Sequence, residues 1–321
     1  MTNFSRIAIL NRGEPAVRFL RALREYNFEH NTHLEAVVFY TEVDENAPFV
    51  RQANIAVSLG HPLRTKEDGS SVSAYIDHEF ILSLLQKEGC DAVWPGWGFI
   101  SEDAAFVTKL EKIGITFLGP SSQAMSSLGD KIAAKHLAEK CKVPLAPWVE
   151  WKQDWKREDL FAEAEKIGFP LMVKASGGGG GRGIRKVHRL EDLEEAITTV
   201  AAEVVKFFGQ GGILLEKCIN LGRHIEVQFA GTSHGKTFAL GIRDCSIQRK
   251  NQKVIEEAPS PILPPEMEQE LYRSTEKLAK ICGYVGVGTA EFLYQPQTGL
   301  CSFLEVNSRL QVEHTITEAC T

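Results

Sequence analysis

Residues 172–183 read Met-Val-Lys-Ala-Ser-Gly-Gly-Gly-Gly-Gly-Arg-Gly, a short apolar run that delivers the chain into five successive glycines, Gly177 to Gly181. Glycines in series cost backbone entropy and pack nothing. Such a loop can set several bare N–H groups against phosphate oxygens, with Lys174 on the preceding strand and Arg182 inside the loop supplying positive charge. The same run also reads as a flexible surface turn. The strands expected on both sides and the lysine on a buried strand favour the phosphate cradle. No GK[ST] follows at Walker spacing, and no HRD or DFG element appears downstream, so neither a P-loop nor a kinase is indicated. A different nucleotide-binding α/β fold is expected.

Upstream of this loop, short apolar runs alternate with helix-period segments, the pattern of a doubly wound parallel sheet. Ile7 to Leu10 is a strand, and Pro15 pre-sets a helix whose apolar side holds Val17, Leu20 and Leu23. Leu34–Tyr40, Asp91–Trp94 and Thr116–Leu118 are further strands, and Ala74–Lys87 is a helix. The first turn, Asn-Arg-Gly-Glu-Pro, lacks the GxGxxG of a dinucleotide site. A helix over Asp130–Lys140 is followed by Pro144 and Pro147, which mark the start of a smaller subdomain. It holds a helix over Arg157–Ile167 and a strand over Leu171–Lys174.

Length and charge fit this reading. At about 150 residues per domain, 321 residues give two domains or one large one. Thirty-six Lys and Arg against 42 Asp and Glu leave a net charge of −6, which disfavours a generic nucleic-acid binder. No apolar run approaches the ~18 residues of a membrane span. Seven cysteines without a CxxC pair fit reduced thiols and a cytoplasmic chain.

Beyond Arg223 the pattern changes to long strands, Arg223–Ala230 and Lys236–Ile242, then a helix from Pro264 and Pro265 to about Cys282, then strands Thr289–Tyr294 and Cys301–Val306. A hairpin centred near Thr298 puts Glu291 opposite Glu305, where like charges conflict. A divalent cation removes the conflict. A solvated pair, or a register shifted by one, is the alternative. If the strand persists, Glu305, Asn307, Arg309, Gln311 and Glu313 alternate along one side, the equipment for holding a metal, an oxyanion and a proton acceptor. A solvated strand face would also explain that polarity. His224 taken alone reads as a structural strand histidine, Cys245 as a packed thiol, and Trp94 and Trp97 as aromatics closing a core.

These residues resemble the biotin carboxylase component of biotin-dependent carboxylases, within the ATP-grasp superfamily. The resemblance runs from end to end: AILNRGEPAVR from Ala8, WPGWGFISED from Trp94, GDK from Gly129, MVKASGGGGGRG from Met172, RDCSIQRKNQKVIEEAP from Arg243, TAEFL from Thr289 and LEVNSRLQVEH from Leu304. It implies an N-terminal pre-ATP-grasp domain over residues 1–120 and an ATP-grasp domain over residues 121–321. The latter has a glycine-rich lid at about 145–218 and an antiparallel sheet. It further implies ATP- and bicarbonate-dependent carboxylation of biotin through carboxyphosphate.

Residue by residue, Lys131 and Lys174 resemble the lysines that hold nucleotide phosphates beneath a flap containing Gly179, Gly180 and Gly181, and Glu216, Lys217, His224 and Gln248 match other nucleotide contacts. Glu291 and Glu305, with Asn307 close by, match the ligands of magnesium or manganese. Lys253, Arg309, Gln311 and the Val312 backbone match the bicarbonate group, Glu313 the general base, and Arg309 the cation that stabilises the biotin enolate. Biotin enters as a carrier-bound substrate. The partners implied are a biotin carboxyl carrier protein or domain, a carboxyltransferase and a second copy of the chain.

Trp94, Trp97 and Asn251 stand where many members have His, Tyr and His. The family also continues for roughly another domain's worth of chain, so residues 315–321 read as a helix start, and the chain as a fragment, a split subunit or an incomplete product. A carbamoyl-phosphate-synthetase-like or purine-pathway ligase, and a non-catalytic nucleotide-binding module, are the competing readings.

Overall fold

The computed structural model describes residues 4–66, 68–177, 183–208, 211–250 and 252–321. Gly179, Gly180, Gly181, Arg182 and Asn251 therefore lie outside the described residues. The chain divides into two compact units, Met1–Met125 with Ser308–Val312, and Ser126–Asn307 with Glu313–Thr321.

In the first unit, β1 (Arg6–Ile9) leads to α1 (Gly13–His30), β2 (Glu35–Tyr40), α2 (Pro48–Gln52) and β3 (Ile55–Ser58). A small hairpin of β4 (Leu63–Thr65) and β5 (Ser71–Ser73) precedes α3 (His78–Lys87), β6 (Ala92–Trp94), α4 (Ala104–Lys112) and β7 (Thr116–Phe117). The sheet order is β3-β2-β1-β6-β7, and every pairing in it is parallel.

Strand geometry sends alternate side chains to opposite faces. Ile7, Ile9, Ala36 and Val38 accordingly pack with Leu20 and Leu23 of α1, while Ala8, Leu10, Val37 and Phe39 pack with Ile81 of α3 and Phe106 of α4. Burial on both faces is why these strands are apolar runs rather than alternating ones. The expected doubly wound sheet is thus observed. The helix expected from Ala74 begins later, at His78, because the Asp77 side chain caps it by accepting from the Phe80 N–H; Ala74–Ile76 form a separate 3₁₀ turn.

Helix α5 (Ser122–Gly129) is followed by α6 (Lys131–Cys141), which Asp130 caps by accepting from Ile132 and Ala133 N–H groups. Next come β8 (Trp148–Trp151), α7 (Arg157–Ile167), β9 (Leu171–Ala175), β10 (Ile184–Val187), α8 (Leu193–Phe208) and β11 (Ile213–Lys217). Among the described residues they form an antiparallel sheet of order β10-β9-β11-β8, whose Leu171, Val173, Ile213 and Leu215 bury against Leu160 of α7 and Val200 of α8.

The remainder comprises β12 (Arg223–Gly231), β13 (Thr237–Arg249), β14 (Gln252–Glu257), α9 (Pro265–Ile281), β15 (Gly286–Gln295), β16 (Leu300–Asn307) and α10 (His314–Cys320). The sheet order is β14-β13-β12-β15-β16. One face, with Ile225, Val227, Phe229, Ala290 and Phe292, packs on Ala134 and Ala138 of α6 and Leu271 and Leu278 of α9. The period-two alternation of β12 and β15 therefore sends Glu226, Gln228 and Glu291 to the other face.

Glu291 does stand opposite Glu305, but by an unexpected route. Nearer the turn, Phe292 pairs with Phe303, and the register slips by one between Glu291 and Phe292. Leu304 is the extra residue, a bulge that returns Glu305 to the polar side.

The expected continuation of this strand is corrected. β16 ends at Asn307, and Arg309, Gln311 and Glu313 do not continue a strand ladder. Glu102 accepts the Ser308 N–H at 3.1 Å and Arg309 Nε at 2.8 Å, so the backbone donor that would extend a ladder is committed to a side chain.

Tyr284 supports the sheet from below. A Cβ on Gly231 would stand 2.0 Å from the Tyr284 carbonyl oxygen. Gly231→Ala is therefore expected to cost about 2–3 kcal/mol through overpacking, read as a lower urea midpoint by tryptophan fluorescence. A midpoint equal to that of the parent chain would count against this close approach.

Candidate active site

The polar face of the β12–β15 sheet gathers charge around one carboxylate. Glu226, fully buried, receives Arg243 Nη2 on Oε2 at 3.0 Å, and its Oε1 takes an ion pair from Lys253 and lies 3.2 Å from His224 Nε2. Lys253 Nζ continues to Glu313 Oε1 and lies 3.5 Å from Glu291 Oε1. His224 Nε2 reaches Glu291 Oε2 at 3.1 Å, and Asn307 donates to Glu291 Oε1 at 2.6 Å. Gln248 packs its amide nitrogen against His224 Nδ1 at 2.9 Å and donates to the Cys245 carbonyl.

The titration of these groups follows from burial opposed by pairing. Burial alone would raise Glu226, but His224, Lys253 and Arg243 hold it far below the usual carboxylate range. Burial would lower His224, yet the Glu226 and Glu291 carboxylates beside Nε2 carry it up to about 9, which favours the imidazolium at neutral pH. Lys253, disfavoured by burial, is pushed up by Glu291, Glu226 and Glu313 and stays charged. Cys245, fully buried, is pushed up by burial and then by Glu226, which makes it an inert packed thiol.

A second charge cluster stands at the strand before the glycine run. Glu216 on β11 is 4% exposed and takes an ion pair from Lys174 on β9, while Lys135 of α6 lies 2.8 Å from its other oxygen. These two lysines outweigh burial and hold the Glu216 carboxyl down at about 2. Lys131, at the first turn of α6, pairs with Glu305 at 2.7 Å. Ser176 ties the two ends of this region together: its carbonyl accepts from Lys131 N–H, and its hydroxyl accepts from Gly212 N–H at 3.0 Å. Just after the glycine-rich segment in sequence, Gly183 N–H donates to Glu203 at 2.8 Å. Lys217 directs its ammonium to the Phe169 carbonyl at 2.8 Å.

The second unit thus gathers Lys131, Lys174, Glu216, His224, Gln248, Lys253, Glu291, Glu305, Asn307 and Glu313 in these charge clusters, whereas Lys217 is turned to the Phe169 carbonyl. Arg309, Gln311 and Val312 belong to the first, where Arg309 is held by Glu102. An open groove of about 930 Å³, lined by Arg64, Lys66, Asp77, His78, Phe80 and Lys109, contains none of these, and its charges pair locally, Arg64 with Asp77 and Lys109 with Glu79. Sequence reading missed Glu226, Arg243, Lys135 and Glu102. Glu226 was within reach, since His224, Glu226 and Gln228 repeat at period two against apolar Ile225, Val227 and Phe229. Trp94 stacks on Phe19 at 4.4 Å, a core contact.

Comparison with known proteins places this geometry. Residues 3–125 match the family model for the biotin carboxylase N-terminal domain, and residues 130–321 that for the carbamoyl-phosphate synthase L chain, ATP binding domain. Biotin carboxylase 1 of Bacillus subtilis is 38% identical over 316 residues, which cover 98% of this chain and 67% of that protein. The crystal structure of a Campylobacter jejuni biotin carboxylase in complex with β,γ-ATP superposes with a TM-score of 0.88 at 36% identity, covering 99% of this chain and 68% of that one. The biotin carboxylase domain dimer of Hydrogenobacter thermophilus 2-oxoglutarate carboxylase, solved with MgADP, ADP and bicarbonate, also gives 0.88, at 37% identity over 100% of this chain and 67% of that one. The fold and the charged sheet define an ATP-grasp protein. The chain belongs to the biotin carboxylase family. It spans about half to two thirds of the length of some curated relatives and only 16–42% of others, among them pyruvate carboxylases and a urea amidolyase.

Removing the Glu216 charge strands Lys135, whose side chain is 2% exposed. Glu216→Gln is expected to cost about 3–5 kcal/mol, the penalty for an uncompensated buried charge. The sign in pH is fixed by a carboxyl held at about 2 against an ordinary 4.5. Its contribution is full above the ordinary value and is lost as pH falls through about 2. Acid unfolding curves should therefore converge for the two proteins near pH 2, draw apart as pH rises, and reach their full separation by about pH 4.5. A constant gap across that range would contradict the assignment.

Proposed function

We propose that this chain catalyses the ATP- and bicarbonate-dependent carboxylation of biotin on a carrier protein or domain. The observation that carries the proposal is Lys253, partly buried between Glu226 and Glu313 on the sheet face that also bears Glu291. A cation that holds an anion there has a carboxylate directly beside it. In this reading bicarbonate binds through Lys253, Arg309, Gln311 and the Val312 N–H, and Glu313 takes its proton as it attacks the γ-phosphate of ATP. Displacement of ADP gives carboxyphosphate, which breaks into carbon dioxide and phosphate; the phosphate takes the ureido proton of biotin, and Arg309 stabilises the enolate that captures the carbon dioxide.

Lys131 and Lys174 hold nucleotide phosphates, assisted by Gly179, Gly180 and Gly181, while Glu216, Lys217, His224 and Gln248 line the nucleotide. Both phosphate lysines now rest on carboxylates, Lys131 on Glu305 and Lys174 on Glu216. A polyanion offers them a competing partner.

Glu291, Glu305 and Asn307 fit a magnesium or manganese ion. They supply hard oxygen donors from facing positions of one hairpin, and rotation of the Asn307 amide turns its oxygen in place of its nitrogen. Such an ion supplies neutralisation of phosphate charge. The closely gathered triads of His, Cys and acidic side chains among the described residues, His224 with Glu226 and Glu291, and Glu226 with Cys245 and Glu313, are already countered by Lys253 and Arg243.

A pre-ATP-grasp domain over 1–120 and an ATP-grasp domain over 121–321, with a lid at about 145–218, complete the assignment. A carrier, a carboxyltransferase and a second copy are the partners we assign, the last supported by the dimer of the Hydrogenobacter domain. Seven unpaired cysteines suit a reducing compartment such as the cytoplasm, and no helix of the described residues is long and apolar enough to cross a membrane. The match of residues 130–321 to a carbamoyl-phosphate synthase domain favours one rival, carboxyphosphate passed to an amine.

The deciding experiment is ATP hydrolysis by the 321-residue chain with magnesium, with and without bicarbonate, then with free biotin or ammonia. Phosphate release that needs bicarbonate and rises with biotin is expected; stimulation by ammonia alone would select the rival. Glu305→Gln should weaken nucleotide binding in calorimetry with magnesium but not with chelator. Glu313→Ala should leave nucleotide affinity within about twofold while lowering bicarbonate-dependent hydrolysis by about 10²-fold or more, the range of a general base.

A further inference from the structure

Arg243 is a fully buried guanidinium with no part in the chemistry proposed above, and its contacts span three elements. Nη2 and Nε reach Glu226 Oε2 at 3.0 and 3.3 Å, Nη1 reaches Gln228 Oε1 at 2.8 Å, and Nη2 reaches Thr289 Oγ1 at 3.2 Å. A further bond from Nη1, 2.9 Å long, goes to Thr317 Oγ1 on α10. Thr317 lies one helical turn after Glu313 and is 5% exposed. Glu313 stands at the N-cap of α10 but makes no cap bond; its carboxylate goes to Lys253 instead. Helix α10 approaches β13 closely enough that a Cβ on Gly241 would be 3.3 Å from Thr317 Cγ2.

From this geometry we infer that Arg243 is a positioning residue which sets both members of the Lys253–Glu313 pair at once, Lys253 through Glu226 and Glu313 through Thr317. The inference deepens the reading of Lys253 as the bicarbonate cation and Glu313 as the base, and rests on it. One planar fork fixes the carboxylate that anchors the lysine and the helix that presents the base. The separation of cation and base is then set by a rigid group rather than by two independent side chains. Arg243 touches no reacting atom; it acts through Glu226 and α10.

Thr317 gives the test, because it lies outside the proposed machinery. Thr317→Val keeps the shape and removes the acceptor, whereas Thr317→Ser keeps the hydroxyl. With Val, kcat for bicarbonate-dependent ATP hydrolysis should fall about 10²-fold, the scale of a misplacement of about 1 Å, with KM for ATP within about twofold. Ser should stay within about twofold of the parent in both. Arg243→Lys, which keeps the charge but not the fork, should shift kcat in the same direction as Val.

Crystal structures of the two Thr317 variants provide a readout independent of turnover: Lys253 and Glu313 should separate beyond hydrogen-bond distance in Val and remain paired in Ser. An unchanged kcat in Val, an equal loss in Ser, or a KM for ATP that rises in step with the loss would overturn the inference. If the parent chain shows no bicarbonate-dependent hydrolysis, the functional reading fails, and the crystallographic comparison alone decides the positioning role. An intact Lys253–Glu313 contact in Val then rejects it.

Discussion

Glu226 carries a full charge where no water reaches it, and the second unit is organised by the need to compensate that charge. A carboxylate removed from water costs several kcal/mol, on the order of the net stability of a domain, unless cations and hydrogen bonds surround it. Arg243 from β13, Lys253 from β14 and His224 from β12 supply them. None of the three helps unless its strand is in register. The polar face of the sheet is therefore as demanding of correct assembly as the apolar face packed on α6 and α9, because a half-satisfied buried network is worse than an apolar one.

The second knot, Glu216 with Lys135 and Lys174, works by the same rule but is arranged for exchange. Lys135 is locked in, with its side chain 2% exposed, whereas the Lys174 side chain is 15% exposed and lies at the strand end that feeds the glycine run. If Lys174 moves to a phosphate, Glu216 keeps one buried partner and is not stranded. Lys131 and Glu305 are arranged with the opposite bias. Both are partly accessible, so each can leave the other for a new counter-ion at little desolvation cost. Buried pairs hold the frame, and the accessible ones are positioned to trade partners.

Local features were legible in the sequence because local physics fixes them. The parallel strands are continuous apolar runs since both their faces are covered, and five successive glycines carry no side chain to pack. The pairing of Glu291 with Glu305 was legible as a hairpin contact, although the molecule reaches it through the Leu304 bulge. Partner choice was not legible. Nothing near Ser308 announces that its N–H will be taken by Glu102, 206 residues earlier, so the strand pattern ran on through Glu313 on paper and stops at Asn307 in the molecule. Arg243 was hidden for a similar reason: a lone arginine in a strand normally reads as solvent-facing, and only the converging acceptors of β12, β15 and α10 make it a core residue.

The Leu304 bulge shows how much one residue of register decides. In an unbulged hairpin continued from the Phe292–Phe303 pair, Leu304 would oppose Glu291, and Glu305 would fall opposite Ala290 on the apolar face against α6 and α9. A carboxylate there would lie among the apolar side chains of the core and carry the cost of burial. The extra residue instead sends Glu305 to the side where Lys131 waits and leaves Val306 for the core. The bulge is also selected by the surroundings, since Phe303 and Val306 lie in the same core cluster and no strictly alternating strand can turn two residues three apart to one face. The apolar core thus enforces the irregularity that places Glu305 opposite Glu291 on the polar face, and the packing of one face of the sheet determines the chemistry available on the other.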